Sequence, residues 1–282
     1  MMELEPEAVK VAADEDSFGP RESPSAAWKR ALISPTLLLD VIVCGLLAGI
    51  PELAFPQHTR PIPVQNVSGT WVRAWLLDNP YVEDTVSSGT LMLIATLGPI
   101  GIAVALSFFS PARGAVKAWL HSYIWMMGTQ IAVVGSIKAY CGYWRPYFLG
   151  ECGFDDVLGR CTSSDYLHGF RSFPSGHASS SVGPLLHTSL RLMSAFRIGH
   201  VPFRLSLGAS DLAIEFDGLL TLLCLLPTFL AAWIAASRVF DNAHHPADVV
   251  GGALIGGSAA VFWHVRYFHG LFGPDSHRPR MP

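Results

Sequence analysis

The chain has 282 residues, of which 50% are hydrophobic and only 15% are charged, whereas soluble domains carry about 25% charged residues. This composition argues against an ordinary soluble domain. The formal net charge of −3 and the lack of a basic stripe or a pattern of stacking aromatic residues argue against a nucleic-acid partner.

Residues 1–30 are rich in Asp and Glu and contain no apolar run. A secretory signal peptide needs such a run, so we do not expect one here. Segments with much charge and little hydrophobicity stay unfolded because they cannot bury enough apolar surface. We therefore predict that residues 1–30 form a short disordered acidic tail.

The rest of the chain alternates between apolar stretches and polar loops. A helix needs about 20 apolar residues to cross a bilayer, and six stretches approach that length. The fourth is the weakest because it is rich in Ser and contains Pro184 and His187. The sixth contains Gly252 and Gly256 at the spacing that permits close helix packing. The six predicted spans are residues 31–50, 90–109, 118–137, 177–193, 218–236 and 247–267.

These spans predict an all-α polytopic membrane protein with one domain over residues 31–270 and a short C-terminal tail over residues 271–282. Six spans place both termini on one side of the membrane. More Lys and Arg lie in the tails and in the loops on their side than in the opposite loops, so the positive-inside rule predicts cytosolic termini. The loops that contain residues 138–177 and 237–245 then share the lumenal or extracellular face. The sequence does not distinguish the endoplasmic reticulum, the vacuole and the plasma membrane.

Two features of the predicted outer loops agree with this orientation. Asn66 opens an Asn-Val-Ser triplet, which is an acceptor sequence for N-glycosylation, although such triplets often arise by chance. Cys152 and Cys161 lie in one long loop, where an oxidising compartment would permit a disulfide. Two free thiols are the alternative.

The first group of candidate site residues follows the third predicted span. Lys138 and Arg145 are seven residues apart, and Pro146 comes directly after them. If the helix continues as far as Arg145, both cations lie on one of its faces, about two turns apart, and Pro146 ends the helix. Two cations on one face suit two oxygens of a single phosphate. The alternative is a pair of ordinary basic residues that extend from a helix end to the membrane surface.

The second group stands at the start of the fourth predicted span. Ser175 is a good helix N-cap, and the free amides at a helix N-terminus bind anions. Gly176 lets the backbone approach a ligand closely. His177 could protonate a departing oxygen, because imidazole titrates near neutral pH. The alternative is a capped helix start with an incidental histidine.

The third group lies between the fifth and sixth predicted spans. Arg238 can bind phosphate oxygens with its forked guanidinium. His244 and Asp248 are four residues apart, so they could meet on one helical face. A carboxylate on one ring nitrogen leaves the other nitrogen as a nucleophile, whereas His245 lacks such a partner and would have a supporting role. A metal-ligating pair or a solvated loop is the alternative.

All three groups lie beside predicted spans at the same predicted membrane face. Permanent cations beside a membrane are costly unless an anion uses them. A phosphate that is being cleaved is the simplest anion that needs three cations and two imidazoles. The Cys and His residues show no spacing typical of a zinc site, and we expect no metal and no other cofactor.

With these motifs the chain resembles the type 2 phosphatidic acid phosphatase superfamily, and within it the lipid phosphate phosphatases. The signatures KxxxxxxRP, PSGH and SRxxxxxHxxxD are matched at every defining position between residues 138 and 248. The resemblance implies six spans and an enzyme that needs no metal. It also implies lipid phosphates as substrates: phosphatidic acid, lysophosphatidic acid, sphingosine 1-phosphate, ceramide 1-phosphate and diacylglycerol pyrophosphate.

The resemblance also implies a role for each site residue. His244 would attack phosphorus and form a phosphohistidine, Asp248 would orient His244, and His177 would protonate the leaving alcohol and then activate water. The phosphate oxygens would be held by Lys138, Arg145, Ser175, Gly176 and Arg238. The alternatives are a non-catalytic lipid-phosphate binding or transport protein on the same scaffold, and a narrow pyrophospholipid phosphatase. The sequence does not indicate an oligomeric state.

Overall fold

The computed structural model describes residues 23–109, 114–163, 166–200, 204–206, 213–215 and 217–280. Eight helices occur in these ranges: α1 Pro24–Leu32, α2 Pro35–Ala54, α3 Ser88–Phe109, α4 Ala115–Cys141, α5 Phe148–Cys152, α6 Gly176–Ala195, α7 Asp217–Phe240 and α8 Pro246–Tyr267. Six short strands form three antiparallel hairpins: β1 Val64–Val67 with β2 Thr70–Arg73, β3 Phe154–Asp155 with β4 Arg160–Cys161, and β5 Arg204–Ser206 with β6 Ala213–Glu215.

The N-terminal segment is helical where the sequence predicted the end of a disordered tail. Residues 1–22 lie outside the described residues. Ser23 caps α1 by accepting a hydrogen bond from the backbone of Ala26, and Pro24 occupies the first helical position, which suits its fixed φ. On the buried side of α1, the Trp28 ring meets the Trp119 ring edge to face. This contact attaches α1 to α4.

Four of the described helices are long and apolar enough to cross a membrane: α2, α3 up to Phe108, α7 and α8. The chain is therefore a helical, multi-pass membrane protein. Helices α4 and α6 correspond to the third and fourth predicted spans and contain 27 and 20 residues, but they are more polar than the other four. The count of six spans remains a prediction.

Helix α6 can be polar because it lies at the centre of the bundle, where it packs against α3, α4, α7 and α8. Two of its buried polar side chains find partners on α4. Ser179 donates to the Gln130 side chain of α4 over 3.2 Å, and the Nε2 atom of His187 lies 2.9 Å from the hydroxyl oxygen of Ser122. Buried polar groups are tolerated when they are hydrogen-bonded in this way, so polarity here marks an interior helix.

Helices α6 and α8 pack very closely at their N-terminal ends. A Cβ atom on Gly252 would overlap the carbonyl oxygen of Ser175, and one on Gly256 would crowd the carbonyl oxygen of Ser179. Glycines that let two backbones approach are the usual device of close helix contacts in membranes. The GxxxG spacing therefore serves helix packing, and it brings the start of α8 against the start of α6.

A small apolar cluster covers one end of the bundle. It is built from the loop segments on either side of α5 and includes Phe148, Cys152 and Phe170. Cys152 and Cys161 form a disulfide, and Arg73 of β2 bonds both carboxylate oxygens of Asp156. These contacts hold the loop segments together as one layer over the ends of the helices.

The C-terminal segment folds back onto the bundle instead of leaving it as a free tail. Phe268 and Pro279 form an isolated bridge, and the backbone of Arg280 donates to the carbonyl oxygen of Tyr267. Ser276 is buried. Residues 271–280 thus pack at the end of the bundle where α6 ends and α8 ends.

Candidate active site

The site residues come from four helix ends that meet at one end of the bundle. Lys138 lies in the last turn of α4, His177 in the first turn of α6, Arg238 in the last turn of α7 and Asp248 in the first turn of α8. A helix N-terminus carries free N–H groups and a partial positive charge. The starts of α6 and α8 therefore add to the positive potential of the site.

Arg145 does not share a helical face with Lys138, because the helix does not continue as far as Arg145, as a shared face required. Helix α4 ends at Cys141 because Gly142 takes a left-handed conformation with φ of 52°. A Cβ atom on Gly142 would also overlap the backbone of His58, so glycine is needed there. The loop after α4 carries Arg145 to the site by another route.

Backbone and side-chain contacts fix both cations of the first motif. The ammonium nitrogen of Lys138 donates to the carbonyl oxygen of Arg171 over 2.6 Å. The backbone amide of Arg145 donates to the carbonyl oxygen of Gly169 over 2.7 Å, and its guanidinium donates to the Tyr147 hydroxyl over 2.8 Å. The segment 169–171, just before the second motif, thus organises the first one.

The second motif starts α6 as the sequence predicts. The Ser175 side chain accepts a hydrogen bond from the backbone of Ala178, and the Ser175 amide donates to the carbonyl oxygen of Asp248 over 2.8 Å. Open space surrounds Gly176, since a Cβ atom there would meet nothing within 4 Å. The Nε2 atom of His177 donates to the carbonyl oxygen of Val86 over 3.1 Å.

Arg238 is 1% exposed and is held by two carboxylates that the sequence analysis did not assign. It donates to Asp241 over 3.0 Å and to Asp84 over 2.7 Å. The backbone and hydroxyl of Thr85 donate to Asp241 in turn. The ion pair with Asp241 could have been predicted from the sequence, because Asp241 lies three residues after Arg238. The ion pair with Asp84 could not, because Asp84 lies 154 residues away from Arg238.

His244 and Asp248 face each other, but not from one helical face as the sequence analysis predicted. His244 lies ahead of α8, because His245 is the N-cap and Pro246 occupies the first helical position. The Nδ1 atom of His244 is 3.6 Å from a carboxylate oxygen of Asp248. This separation is too long for a hydrogen bond. The same carboxylate oxygen accepts hydrogen bonds from the Ser172 hydroxyl at 2.6 Å and the His245 amide at 2.9 Å. Ser172, which the sequence analysis gave no role, thus fixes Asp248.

Burial, together with the nearby basic groups of Lys138 and Arg145, lowers the pKa of His244 to about 3, although Asp248 acts to raise it. The His244 imidazole is therefore neutral near pH 7. A neutral imidazole has a lone pair on one ring nitrogen. A proton on Nδ1, directed towards Asp248, would place that lone pair on Nε2 and make Nε2 the attacking atom.

His245 has a supporting position. Its Nε2 atom donates to the carbonyl oxygen of Trp144 over 3.2 Å, and its ring centroid is 5.5 Å from that of Tyr143. It therefore connects the start of α8 to the loop after α4. This loop is the one that carries Arg145.

Two arginine side chains of the site each have a donor atom without a hydrogen-bond partner in the described part of the chain. The Nε atoms of Arg145 and Arg238 are buried, and neither has a hydrogen-bond partner among the residues that the structure describes. Leaving a buried charged donor unpaired is costly. Each of these donors could pair with an oxygen of an anion, and a phosphate offers several such oxygens.

In the described parts of the chain, no group of three His, Cys, Asp or Glu side chains is arranged to hold a metal ion. The basic side chains at these helix ends and in the loop after α4 include those of Lys138, Arg145 and Arg238. Asn66 lies exposed in β1.

The chain is similar to known phosphatases. The sequence model of the PAP2 superfamily matches residues 119–270, a range that contains all of the motif residues. The chain is 29% identical to lipid phosphate phosphatase 2 of Arabidopsis thaliana, over 71% of this chain and 68% of that protein. It is 28% identical to the probable lipid phosphate phosphatase 4 of the same plant, over 89% and 78%. It is 32% identical to diacylglycerol pyrophosphate phosphatase 1 of Saccharomyces cerevisiae, over 51% and 50%. No solved structure matches the chain.

Proposed function

The chain belongs to the PAP2 superfamily, and we propose that it removes the phosphate from phosphatidic acid and related lipid phosphates through a phosphohistidine. Its relatives are lipid phosphate phosphatases, and it is a membrane-embedded hydrolase of this kind. The observation that carries the mechanism is the pair of unpaired, buried Nε donors of Arg145 and Arg238 beside a neutral His244. This arrangement suits an anion that is attacked by an imidazole.

In the first step, the Nε2 atom of His244 attacks phosphorus, and the bond between phosphorus and the lipid oxygen breaks. The departing oxygen takes a proton from His177. Asp248 holds His244 in the reactive tautomer and compensates the positive charge that develops on its ring. Charge that builds on the phosphate oxygens is stabilised by fixed donors, and such preorganised stabilisation is the largest catalytic effect in many enzymes.

In the second step, His177 takes a proton from water, and the hydroxide attacks the phosphohistidine. The bond between phosphorus and nitrogen breaks, inorganic phosphate leaves, and His244 returns to its neutral form. His177 has to release the carbonyl oxygen of Val86, to which it donates in the free enzyme, before it can serve the substrate. Segment 84–86 must therefore shift when substrate binds.

The proposed reaction needs no metal ion. Arg145 and Arg238 are cations that, together with Lys138, supply the charge stabilisation for which other phosphatases use a metal. The starts of α6 and α8 add backbone dipoles with the same sign. We therefore expect activity in the presence of a chelator.

The arrangement in the membrane is also part of the proposal. We infer six spans, with α4 and α6 as the two interior ones, and cytosolic termini. The ends of α4 and α7 and the starts of α6 and α8 then lie at the lumenal or extracellular face. A site at that surface would reach the phosphate of a lipid whose chains stay in the bilayer.

Phosphate release from lipid phosphates in detergent micelles, with chelator present, tests the proposal. We expect the wild-type protein to hydrolyse phosphatidic acid and His244→Ala to lose at least about a thousandfold in kcat, as removal of a nucleophile does. His245→Ala is the matched control, with a much smaller loss. If His244→Ala stays near the wild-type rate, or if the chelator abolishes activity, the mechanism is wrong. Binding of lipid phosphates without any phosphate release would instead indicate the non-catalytic alternative.

A further inference from the structure

A cavity of about 230 Å³ adjoins the phosphate-binding residues, between α2, α4 and α6. Lys138 and Gly176 of the site form one part of its lining, and Pro51 and Val134 form an apolar part. Two further charged residues line it, Glu52 of α2 and Arg171 of the loop before α6. The cavity is therefore continuous with the phosphate site, and it contains a cation to which the mechanism gives no role.

Arg171 is fixed by its backbone, whereas its side chain can exchange partners. Its carbonyl oxygen accepts the bond from Lys138, so its main chain is held at the site. Its guanidinium donates to Glu52 over 2.6 Å, and the two side chains are 27% and 68% exposed. An ion pair this exposed contributes little, because water screens it. A phosphate, which can accept two parallel hydrogen bonds from a guanidinium, can therefore displace Glu52.

We propose that Arg171 is a specificity residue that binds a second phosphoryl group in the leaving part of the substrate, so that the enzyme selects lipid diphosphates over lipid monophosphates. This inference rests on the proposed function. The terminal phosphate would lie at Lys138 and Gly176, and the inner phosphate would extend along the cavity to Arg171. Glu52 holds Arg171 in place while the second phosphate is absent.

The proposal gives Arg171 a part in the first chemical step. His244 attacks the terminal phosphorus, the bond from that phosphorus to the bridging oxygen breaks, and the bridging oxygen leaves on the lipid monophosphate with a proton from His177. Negative charge grows on the departing phosphate as the bond breaks. A cation beside that phosphate is more useful in the transition state than in the ground state, which is the condition for a catalytic effect.

The test compares kcat/KM for diacylglycerol pyrophosphate and for phosphatidic acid with identical acyl chains, in the same micelles. In Arg171→Gln, the ratio of the diphosphate value to the monophosphate value should fall roughly tenfold or more, the effect of losing a charge-assisted hydrogen bond. Glu52→Gln is the matched control, because it breaks the same ion pair but keeps the cation. In Glu52→Gln the ratio should not fall.

The outcomes separate the two proposals. If Arg171 only ties its loop to α2, Arg171→Gln and Glu52→Gln change both substrates in the same proportion, and the inference is overturned. If the wild-type protein hydrolyses neither substrate, the proposed function itself fails. Should Arg171→Gln fail to fold, Arg171→Lys decides in the same assay: a lowered ratio supports the inference, because lysine lacks the fork, and an unchanged ratio overturns it.

Discussion

At the scale of single residues, Arg238 shows how ion pairs stabilise a buried cation in the enzyme without substrate. Asp241 is fully buried beside it, while Asp84 keeps a side-chain exposure of 30%. Removing one partner of a buried ion pair commonly costs about 3–5 kcal/mol of stability, so Asp241 is part of the support of Arg238. Asp84 is the partner that a phosphate can replace.

Asp84→Asn should tighten the binding of inorganic phosphate, because it removes the carboxylate that competes for Arg238. We expect the inhibition constant of phosphate, measured against hydrolysis of phosphatidic acid, to fall by up to about fivefold, as for a partly exposed charge pair. Glu83→Gln is the control, since it removes an equal charge from the exposed neighbouring position. A higher inhibition constant in Asp84→Asn would show that Asp84 positions Arg238 instead of competing for it.

Much of the site could be predicted at this scale, but its geometry could not. Residue types and spacing predicted that Lys138, His177 and Arg238 serve one site, and the structure brings them to one end of the bundle. Neither Lys138 and Arg145 nor His244 and Asp248 share a helical face. Gly142 ends one helix and Pro246 begins another, and residue spacing alone does not reveal these helix ends. The partnership between Asp84 and Arg238 depends on tertiary structure and has no local signal.

At the scale of elements, the catalytic geometry depends on how helices end and touch. The predicted spans 90–109 and 247–267 nearly coincide with α3 and α8, because the length of a strongly apolar stretch indicates where its helix begins and ends. The first span begins at Pro35 and not at residue 31, because this proline starts a new helix and cannot continue α1. The weak apolar signal of α6 reflected its interior position.

The contact between α6 and α8 gives a prediction for Gly252→Ala. The added methyl group would overlap the carbonyl oxygen of Ser175 and push the start of α8 away from the start of α6. Displacement of catalytic groups by about 1 Å can cost about a hundredfold in rate, and overpacking costs about 1–3 kcal/mol of stability. Phosphate release and thermal unfolding measure the two effects.

Gly257→Ala provides the matched control on the same helix. A Cβ atom at Gly257 would make only ordinary contacts, 3.7 Å from Leu186 and 3.8 Å from Val182. We expect this variant to keep both activity and stability. Wild-type activity in Gly252→Ala as well would show that the spacing of the two helices does not depend on this glycine.

At the scale of the whole molecule, composition predicted a helical membrane protein, and the four strongly apolar helices agree with it. The layer around α5 could not be predicted, because its short helices and two-residue strands bury their apolar side chains only against one another. The packing of residues 271–280 was missed for a similar reason. A short polar segment gives no sign that it will fold against a distant helix end.

The proposed topology predicts that the site and Asn66 face the lumen or the exterior. In microsomes, we expect a glycan on Asn66, seen as a mobility shift that Asn66→Gln and glycosidase treatment both remove. An acceptor sequence engineered into residues 196–200, after the opposite end of α6, should stay unmodified. Glycosylation of the engineered sequence, with Asn66 unglycosylated, would show that the orientation is the reverse of the one proposed.

The bond between Asp40 of α2 and His121 of α4 has a consequence for biosynthesis. The two residues are separated by 81 positions in the chain, and α2 emerges from the ribosome before α4. Until α4 arrives, α2 carries a carboxylic acid without its imidazole partner, and such a residue resists transfer into lipid. We therefore expect α2 to stay beside the protein-conducting channel until α4 is made, so that the two helices enter the bilayer as a pair.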